Sequence, residues 1–267
     1  MPNFSILLPP SYAKQSGGNP FAPDMFDYRT SNTFNYFNEL NPERRKLIGR
    51  LQEVIEEGKD LENIFGAFDL EHAVRVNQEI YNAPLMSALD RYSPGVLYKA
   101  MDFSGLPTGA QRRLLENGII FSGLFGLLRP DDLIPEYWLP MNADVPGLGR
   151  LSEFWRPMIS PVLNRTIADT LVWNLLPSVH QAGWNDDHTY ETMVVVKFAR
   201  EKGGERSLVE SDVEPLHGKL VNFIVRDALE SIDPLNDWTH PDGYTLDPEA
   251  TVTDEAARTV TVTLVKR

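Results

Sequence analysis

Apolar and polar positions alternate most strictly at the end of the chain. There Thr259-Val260-Thr261-Val262-Thr263-Leu264-Val265 predicts a half-buried strand. Residues 193–199 are rich in β-branched side chains and predict a second strand, followed by a hairpin-type turn at Gly203-Gly204. The opening run Phe4-Ser5-Ile6-Leu7-Leu8 is apolar at nearly every position and predicts a short buried strand. Pro9-Pro10 stops it, because proline has no N–H to give a ladder. The run 119–128 begins as another buried strand. Its Gly123 and Gly126 permit close backbone approach or a tight turn, and Arg129-Pro130-Asp131-Asp132 ends it.

Helical spacing follows Asn41-Pro42-Glu43, where Asn caps, Pro takes the first helical position and Glu meets the positive end of the dipole. Leu47, Leu51, Val54 and Ile55 continue that helix and Gly58 closes it. Further helices are predicted over 70–81, 110–116 and 216–229. Gly95-Val96-Leu97-Tyr98 fits a strand and a helix start equally, and residues 15–24, with Gly17, Gly18, Pro20 and Pro23, predict a loop. The intermingled pattern predicts one mixed α/β (α+β) domain over residues 1–267. Its central, largely buried sheet is flanked by helices, with room for a small helical subdomain near residues 40–80.

Composition narrows the chemistry. The 267 residues include 38 acidic and 25 basic side chains, a formal charge of −13, which opposes non-specific contact with nucleic acid or anionic membrane. There is no cysteine, so disulfides, thiolate metal sites and a Cys nucleophile are excluded. No apolar run reaches the roughly 18–20 residues of a membrane span, and residues 1–10 lack a basic leader, so the expectation is a cytoplasmic protein without a membrane partner.

Candidate chemistry is sparse. No two of the five histidines stand four residues apart, so an HExxH-type site is absent. Asp186-Asp187-His188 is a carboxylate-rich set that would suit Fe(II), although a solvated acidic loop is the more ordinary reading, and no metal ligand is assigned. No GxSxG elbow exists, and Gly123-Leu124-Phe125-Gly126 lacks the further glycine or Lys-Ser/Thr pair of a nucleotide loop, so no cofactor is expected. Lys14 follows a strand, a double proline and Ser11. It would bind an anion, or act as a nucleophile if burial lowered its pKa; the plainer reading is a surface lysine. Arg129 either pairs with Asp132 to brace its turn or presents its fork to an anion.

The block Ser122-Gly123-Leu124-Phe125-Gly126-Leu127-Leu128-Arg129-Pro130, with Asp132-Leu133-Ile134 and Tyr137-Trp138-Leu139-Pro140-Met141, resembles the "SGLYG-LRP-D-I-PYRL-M" signature of the bacterial peroxide stress protein YaaA family. Leu7-Leu8-Pro9-Pro10-Ser11 with Lys14 resembles its "LLPPSEGK" opening. Asp90-Arg91-Tyr92 with Gly95-Val96-Leu97-Tyr98 resembles its middle motif, and Phe154-Trp155 and Asn174-Leu175 match later elements. The resemblance implies a cytoplasmic protein that protects against hydrogen peroxide by limiting free iron. It also implies a mixed α/β architecture and DNA binding through a region similar to a helix-hairpin-helix, here the helix carrying Arg44, Arg45, Lys46 and Arg50. Four positions depart from the pattern. Tyr12 stands for an acidic residue, Trp138 for an arginine, and Glu214 and His217 for basic residues of a "K-x-x-K/R-G" element. Three of these remove positive charge, which weakens the case for phosphate contact.

Three readings result. In the first, the chain is a peroxide-stress protein that binds DNA through Arg44, Arg45, Lys46 and Arg50. In the second, it is an enzyme or a binder of a small anionic ligand. Its pocket is built from Ser11, Lys14, Tyr92, Arg129, Tyr137 and Asn174, with Tyr12 and Trp138 as apolar walls. Lys14, Tyr92, Arg129 and Tyr137 are then the catalytic candidates. The third, direct iron binding at Asp186, Asp187 and His188, ranks last. The second reading requires the segment at Lys14 and the turn at Arg129 to sit side by side in a recess that attracts negative charge.

Overall fold

A computed structural model describes residues 3–22, 36–66 and 69–267; Pro23 and Asp24 of the predicted loop lie outside these. In chain order the strands of its central sheet are Phe4–Leu8 (β1), Gly118–Ser122 (β2), Gly126–Leu128 (β3), Leu171–Asn174 (β4), Thr192–Lys202 (β5), Glu205–Leu208 (β6), Thr245–Leu246 (β7), Val252–Asp254 (β8) and Thr259–Lys266 (β9). The helices are Asn41–Glu57 (α1), Leu61–Phe65 (α2), Leu70–Gln78 (α3), Ala88–Tyr92 (α4), Val96–Met101 (α5), Thr108–Asn117 (α6), Leu151–Thr166 (α7), Ser178–Gln181 (α8) and Glu214–Asp227 (α9).

Every residue of β1, β2 and β4 is buried. Strands apolar on both faces need cover on both faces, so they occupy the middle of the sheet. The spatial order is β7-β9-β5-β4-β1-β2-β3, with β6 hydrogen-bonded to β5 and β8 to β9. From β9 through β2 neighbouring strands run parallel, and the outer pairings are antiparallel. The chain is a single mixed α/β domain.

Local structure departs from the sequence reading in instructive places. The run 119–128 is a hairpin. Gly126 holds φ +74°, the left-handed region that favours glycine, and β3 returns antiparallel along β2. Gly95-Val96-Leu97-Tyr98 resolves into the start of α5. The closing strand is more than half-buried. Val262, Thr263, Leu264 and Val265 are buried in succession, because β9 lies between β5 and β7. Asn41 is not the cap of α1: a 3₁₀ turn over Asn38–Leu40 leads in, and the Asn41 carboxamide instead accepts a hydrogen bond from Arg44 Nη1 at 2.8 Å. Helices α1 and α2 pack on α3, and Arg44 ties α1 to the sheet's β3 edge, so residues 40–80 are built into the one domain. Among the described residues no helix is long and apolar enough to cross a membrane.

Candidate functional site

β1 lies between β2 and β4, and the chain reaches β2 on one side and β4 on the other. Strand order therefore reverses at β1. In open parallel sheets the crevice beyond the carboxyl ends of the strands at such a point is where ligands sit. The segment that leaves β1 carries Ser11, Tyr12 and Lys14. Tyr98 on α5 donates its hydroxyl to Pro9 O at 2.8 Å. Ser11 rests against Gly95 so closely that a methyl group there would fall 2.2 Å from its Oγ. Beyond Lys14, Arg91 clamps the loop. It is fully buried and donates to Gln15 O, Gly17 O (3.0 Å), Pro84 O (2.9 Å) and Ile134 O (3.2 Å), while Gln15 N donates back to Arg91 O at 2.7 Å.

Lys14 is thereby held against three aromatic faces. Its Nζ lies 4.6 Å from the ring centre of Tyr137, 5.5 Å from Trp138 and 5.8 Å from Tyr92. Among the described residues it donates only to two carbonyls, Ser11 O at 2.9 Å and Tyr12 O at 3.5 Å. Burial lowers its pKa to about 7; the charge of Glu136 opposes this and that of Arg91 assists it. Behind the rings, Tyr137 OH lies 2.6 Å from Tyr92 OH and 2.8 Å from Ser122 Oγ, which in turn accepts from Phe125 N at 3.0 Å. Burial raises the pKa of Tyr137 to about 12 and that of Tyr92 well above its ordinary value, so both phenols stay neutral.

The recess over Lys14 is small, with a cavity volume of about 30 Å³, and is walled by Tyr12, Tyr137, Trp138, Met141, Val179 and His180. Trp138 is fixed by its indole N–H on Phe65 O at 2.9 Å and by Asn77, which brackets its backbone N and O. His180 is 7% exposed, and its Nδ1 is sealed from water and has no hydrogen-bond partner among the described residues. Burial pushes its pKa down to about 4, so the ring is neutral. On the other side of Ser11 and Tyr12 a second pocket is lined by Pro94, Gly95, Val96, Leu97 and Glu214, and a third, acidic pocket is lined by Glu210, Asp212, Glu214 and His217. Of the four positions that depart from the family pattern, Tyr12 and Trp138 line the Lys14 recess, and Glu214 and His217 line a separate pocket.

Of the expected pocket, Ser11, Lys14, Tyr92 and Tyr137 converge; Arg129 and Asn174 do not. Arg129 follows β3, whose antiparallel register sets Leu128 opposite Ile120. Arg129 therefore lies at the opening end of β2, and Lys14 belongs to the other end, a strand length of about 13 Å away. The Arg129 guanidinium donates to Gly118 O at 3.0 Å and lies 5.3 Å from the Phe37 ring centre and 5.8 Å from that of Tyr36. Asp132 does brace the turn, but by accepting from the Arg129 backbone N–H at 2.7 Å. Asn174 is buried. It accepts from Leu176 N and donates to Met193 Sδ, turning the chain toward α8. The anticipated anion-attracting recess is thus replaced by an aromatic one with a single amine.

Of the four basic residues expected on the surface of α1, the structure buries one. Arg44 is 0% exposed and donates to Phe125 O (2.8 Å) and Leu127 O (2.6 Å). Arg50 is held by Pro146 O, Glu53 and Glu57. Arg45 and Lys46 are exposed, with Lys46 Nζ 5.9 Å from the Phe154 ring centre. In the 186–188 loop, Asp186 accepts from Tyr190 OH and His188 N, and Asp187 accepts from Asn164. Among the described residues no group of three His, Asp or Glu could hold a metal ion. Sequence reading missed Arg91 and His180. Arg91 sat within a quoted motif, whereas His180 had no local signal.

The family model described as "Peroxide stress protein YaaA" matches residues 4–250. A UPF0246 protein of Streptomyces coelicolor is 34% identical over 181 residues, covering 67% of this chain and 66% of its own length. An uncharacterized protein of Campylobacter jejuni is 26% identical over 196 residues, 72% of this chain and 75% of its own. A UPF0246 protein of Neisseria meningitidis serogroup B is 30% identical over 162 residues, 58% and 62% respectively. The chain thus spans about two thirds of the length of these relatives.

Proposed function

This chain belongs to the peroxide stress protein YaaA family, and we propose that it serves a peroxide response by binding and converting a small molecule in the Lys14 recess. One observation carries the reading: an amine set among three aromatic rings, with only backbone carbonyls as partners among the described residues and a pKa lowered by burial to about 7. At neutral pH about half of it is uncharged. An uncharged lysine amine is a nucleophile or a base, roles an ordinary surface lysine fills poorly. Tyr137, Tyr92 and Ser122 form a neutral, buried hydroxyl cluster that fixes the Tyr137 ring beneath the amine. Ser11 orients the amine through its carbonyl, and Arg91 positions the loop. The burial of Arg44 and the formal charge of −13 favour this reading over one in which α1 grips DNA phosphates.

The test uses cells that depend on this chain to survive a hydrogen peroxide challenge. Lys14→Met removes protection, and the double change Arg45→Ala, Lys46→Ala preserves it. The opposite pattern overturns the reading. A parallel anisotropy titration with duplex DNA at low salt gives no saturable binding.

A further inference from the structure

We propose that the Tyr12 side chain is a gate on the Lys14 recess: swinging off Trp138, it joins the recess to the pocket on the other side of Ser11 and Tyr12, and so sets the size of ligand that reaches the amine. The inference rests on the recess being the functional site and adds how access to it is controlled.

Space supplies the first observation. The recess has a cavity volume of about 30 Å³, room for about one water molecule. The pocket beyond Tyr12 has about 190 Å³. Pro10, Ser11 and Tyr12 stand in the wall of both. Lys14, Tyr137 and Trp138 line only the first, and Pro94, Val96 and Leu97 only the second. An organic ligand does not fit the recess as it stands, and the shared wall is what parts the amine from the larger space.

That wall supplies the second observation, because only one of its side chains is free to give. Proline rings fix φ at Pro9 and Pro10, and Pro9 O accepts from Tyr98 OH at 2.8 Å. Ser11 is wedged against Gly95, where an added methyl group would fall 2.2 Å from its Oγ, and Ser11 O accepts from Lys14 Nζ at 2.9 Å. Gln15 N is tied to Arg91 O at 2.7 Å. The backbone is thus pinned on both sides of Tyr12. The Tyr12 side chain is not: it is 63% exposed, and among the described residues its hydroxyl makes no hydrogen bond.

The contact that holds the ring supplies the third. It lies 6.0 Å from the Trp138 ring, tilted by 43°. Trp138 is the fixed member of the pair, through its indole N–H on Phe65 O and through Asn77 on its backbone. Swinging out costs Tyr12 this one aromatic contact, and an apolar ligand seated on the same indole face replaces it. Exposed side chains change rotamer within picoseconds to nanoseconds, so opening requires no change in the fold.

The experiment is reductive alkylation of the full-length chain at pH 7 with cyanoborohydride and either formaldehyde or benzaldehyde, followed lysine by lysine by peptide mass spectrometry. Rates at Lys14 are taken relative to the exposed Lys59 and Lys202 in the same sample, which cancels the intrinsic reactivity of each aldehyde. In the parent, benzaldehyde is expected to be disfavoured at Lys14 several-fold more than formaldehyde. Tyr12→Ala, checked for an unchanged melting transition, removes this discrimination by raising the benzaldehyde rate, and leaves the formaldehyde rate unchanged. Tyr12→Phe keeps the ring and behaves as the parent. Absence of discrimination in the parent, or a discrimination that Tyr12→Ala leaves intact, overturns the gate. Failure of the underlying reading shows separately, as peroxide protection that survives Lys14→Met.

Discussion

Two regions of this molecule use one device to opposite ends. At the carboxyl end of β1, Lys14 rests on Tyr137, Trp138 and Tyr92 and donates to the carbonyls of Ser11 and Tyr12. At the far end of β2, Arg129 rests on Phe37 and Tyr36 and donates to Gly118 O. Both are cations on aromatic faces, tied to backbone oxygen. Burial lowers both pKa values, but a guanidinium begins so high that it stays charged, whereas an ammonium crosses neutrality. The first place therefore gains a reactive amine beside free space. The second gains a fixed brace, and the proton that titrates there belongs to Asp132, raised to about 7 by burial. Residue type decides which cation is structural and which is chemical.

The largest effect expected from breaking this contrast is chemical. Reductive alkylation with propionaldehyde and cyanoborohydride at pH 7, read by peptide mass spectrometry, traps free lysine amines, and Lys14→Met takes the trapping at that locus to background with the fold intact by circular dichroism. Arg129→Met leaves Lys14 trapping within about two-fold, because it stands a strand length away. A comparable loss in Arg129→Met would join the two regions after all.

Next is stability. Arg44→Met removes a buried guanidinium and strands the carbonyls of Phe125 and Leu127. Breaking a buried charged network of this kind costs about 3–5 kcal/mol. The exposed pair Arg45→Ala, Lys46→Ala stays within about 0.5 kcal/mol of the parent. Urea unfolding separates the two outcomes.

The pH dependence of stability gives a smaller effect with opposite signs at the two places. Asp132 has a folded pKa of about 7 against an ordinary 3.8. The native state then binds more protons than the unfolded chain between those values, so its contribution to stability falls as pH rises from about 4 to 7. Lys14 has a folded pKa of about 7 against 10.5. There the unfolded chain binds more protons, and stability rises from pH 7 toward 10. Each limb has a slope of at most about 1.4 kcal/mol per pH unit. Melting curves of Asp132→Asn flatten the lower limb alone, and those of Lys14→Met flatten the upper limb alone.

Tyr137→Phe is the mildest. It keeps the ring under Lys14 and cuts the hydroxyl link to Tyr92 and Ser122. It costs about 1–2 kcal/mol in urea unfolding while trapping at Lys14 persists.

Much of this was legible in the chain. The apolar run before Pro9-Pro10 marked β1, and a lysine just past a strand end marked the recess. Arg44 was misread as part of a basic surface, although its spacing placed it on the buried face. It stands three, four and seven residues before Leu47, Ile48 and Leu51, on the buried face of α1, whereas Arg45 and Lys46 fall on the other. Arg129 was misplaced because the glycines of 119–128 left close backbone approach and a tight turn both open, and only the turn carries Arg129 away from Lys14. The reversal at Gly126 moves everything after it by the length of a strand, and composition gives little warning of that. His180 was invisible for a different reason. An unpartnered atom is defined by what surrounds it after folding, and no spacing in the sequence records it.

The central claim is that the Lys14 amine changes charge near neutrality. Nitrogen-15 resonances of the lysine side chains, with Lys14 assigned by its loss in Lys14→Arg, follow this directly across pH 5 to 11. The account predicts a midpoint near 7 for Lys14, with the remaining lysines near 10.5. A Lys14 midpoint among those of the other lysines would contradict it.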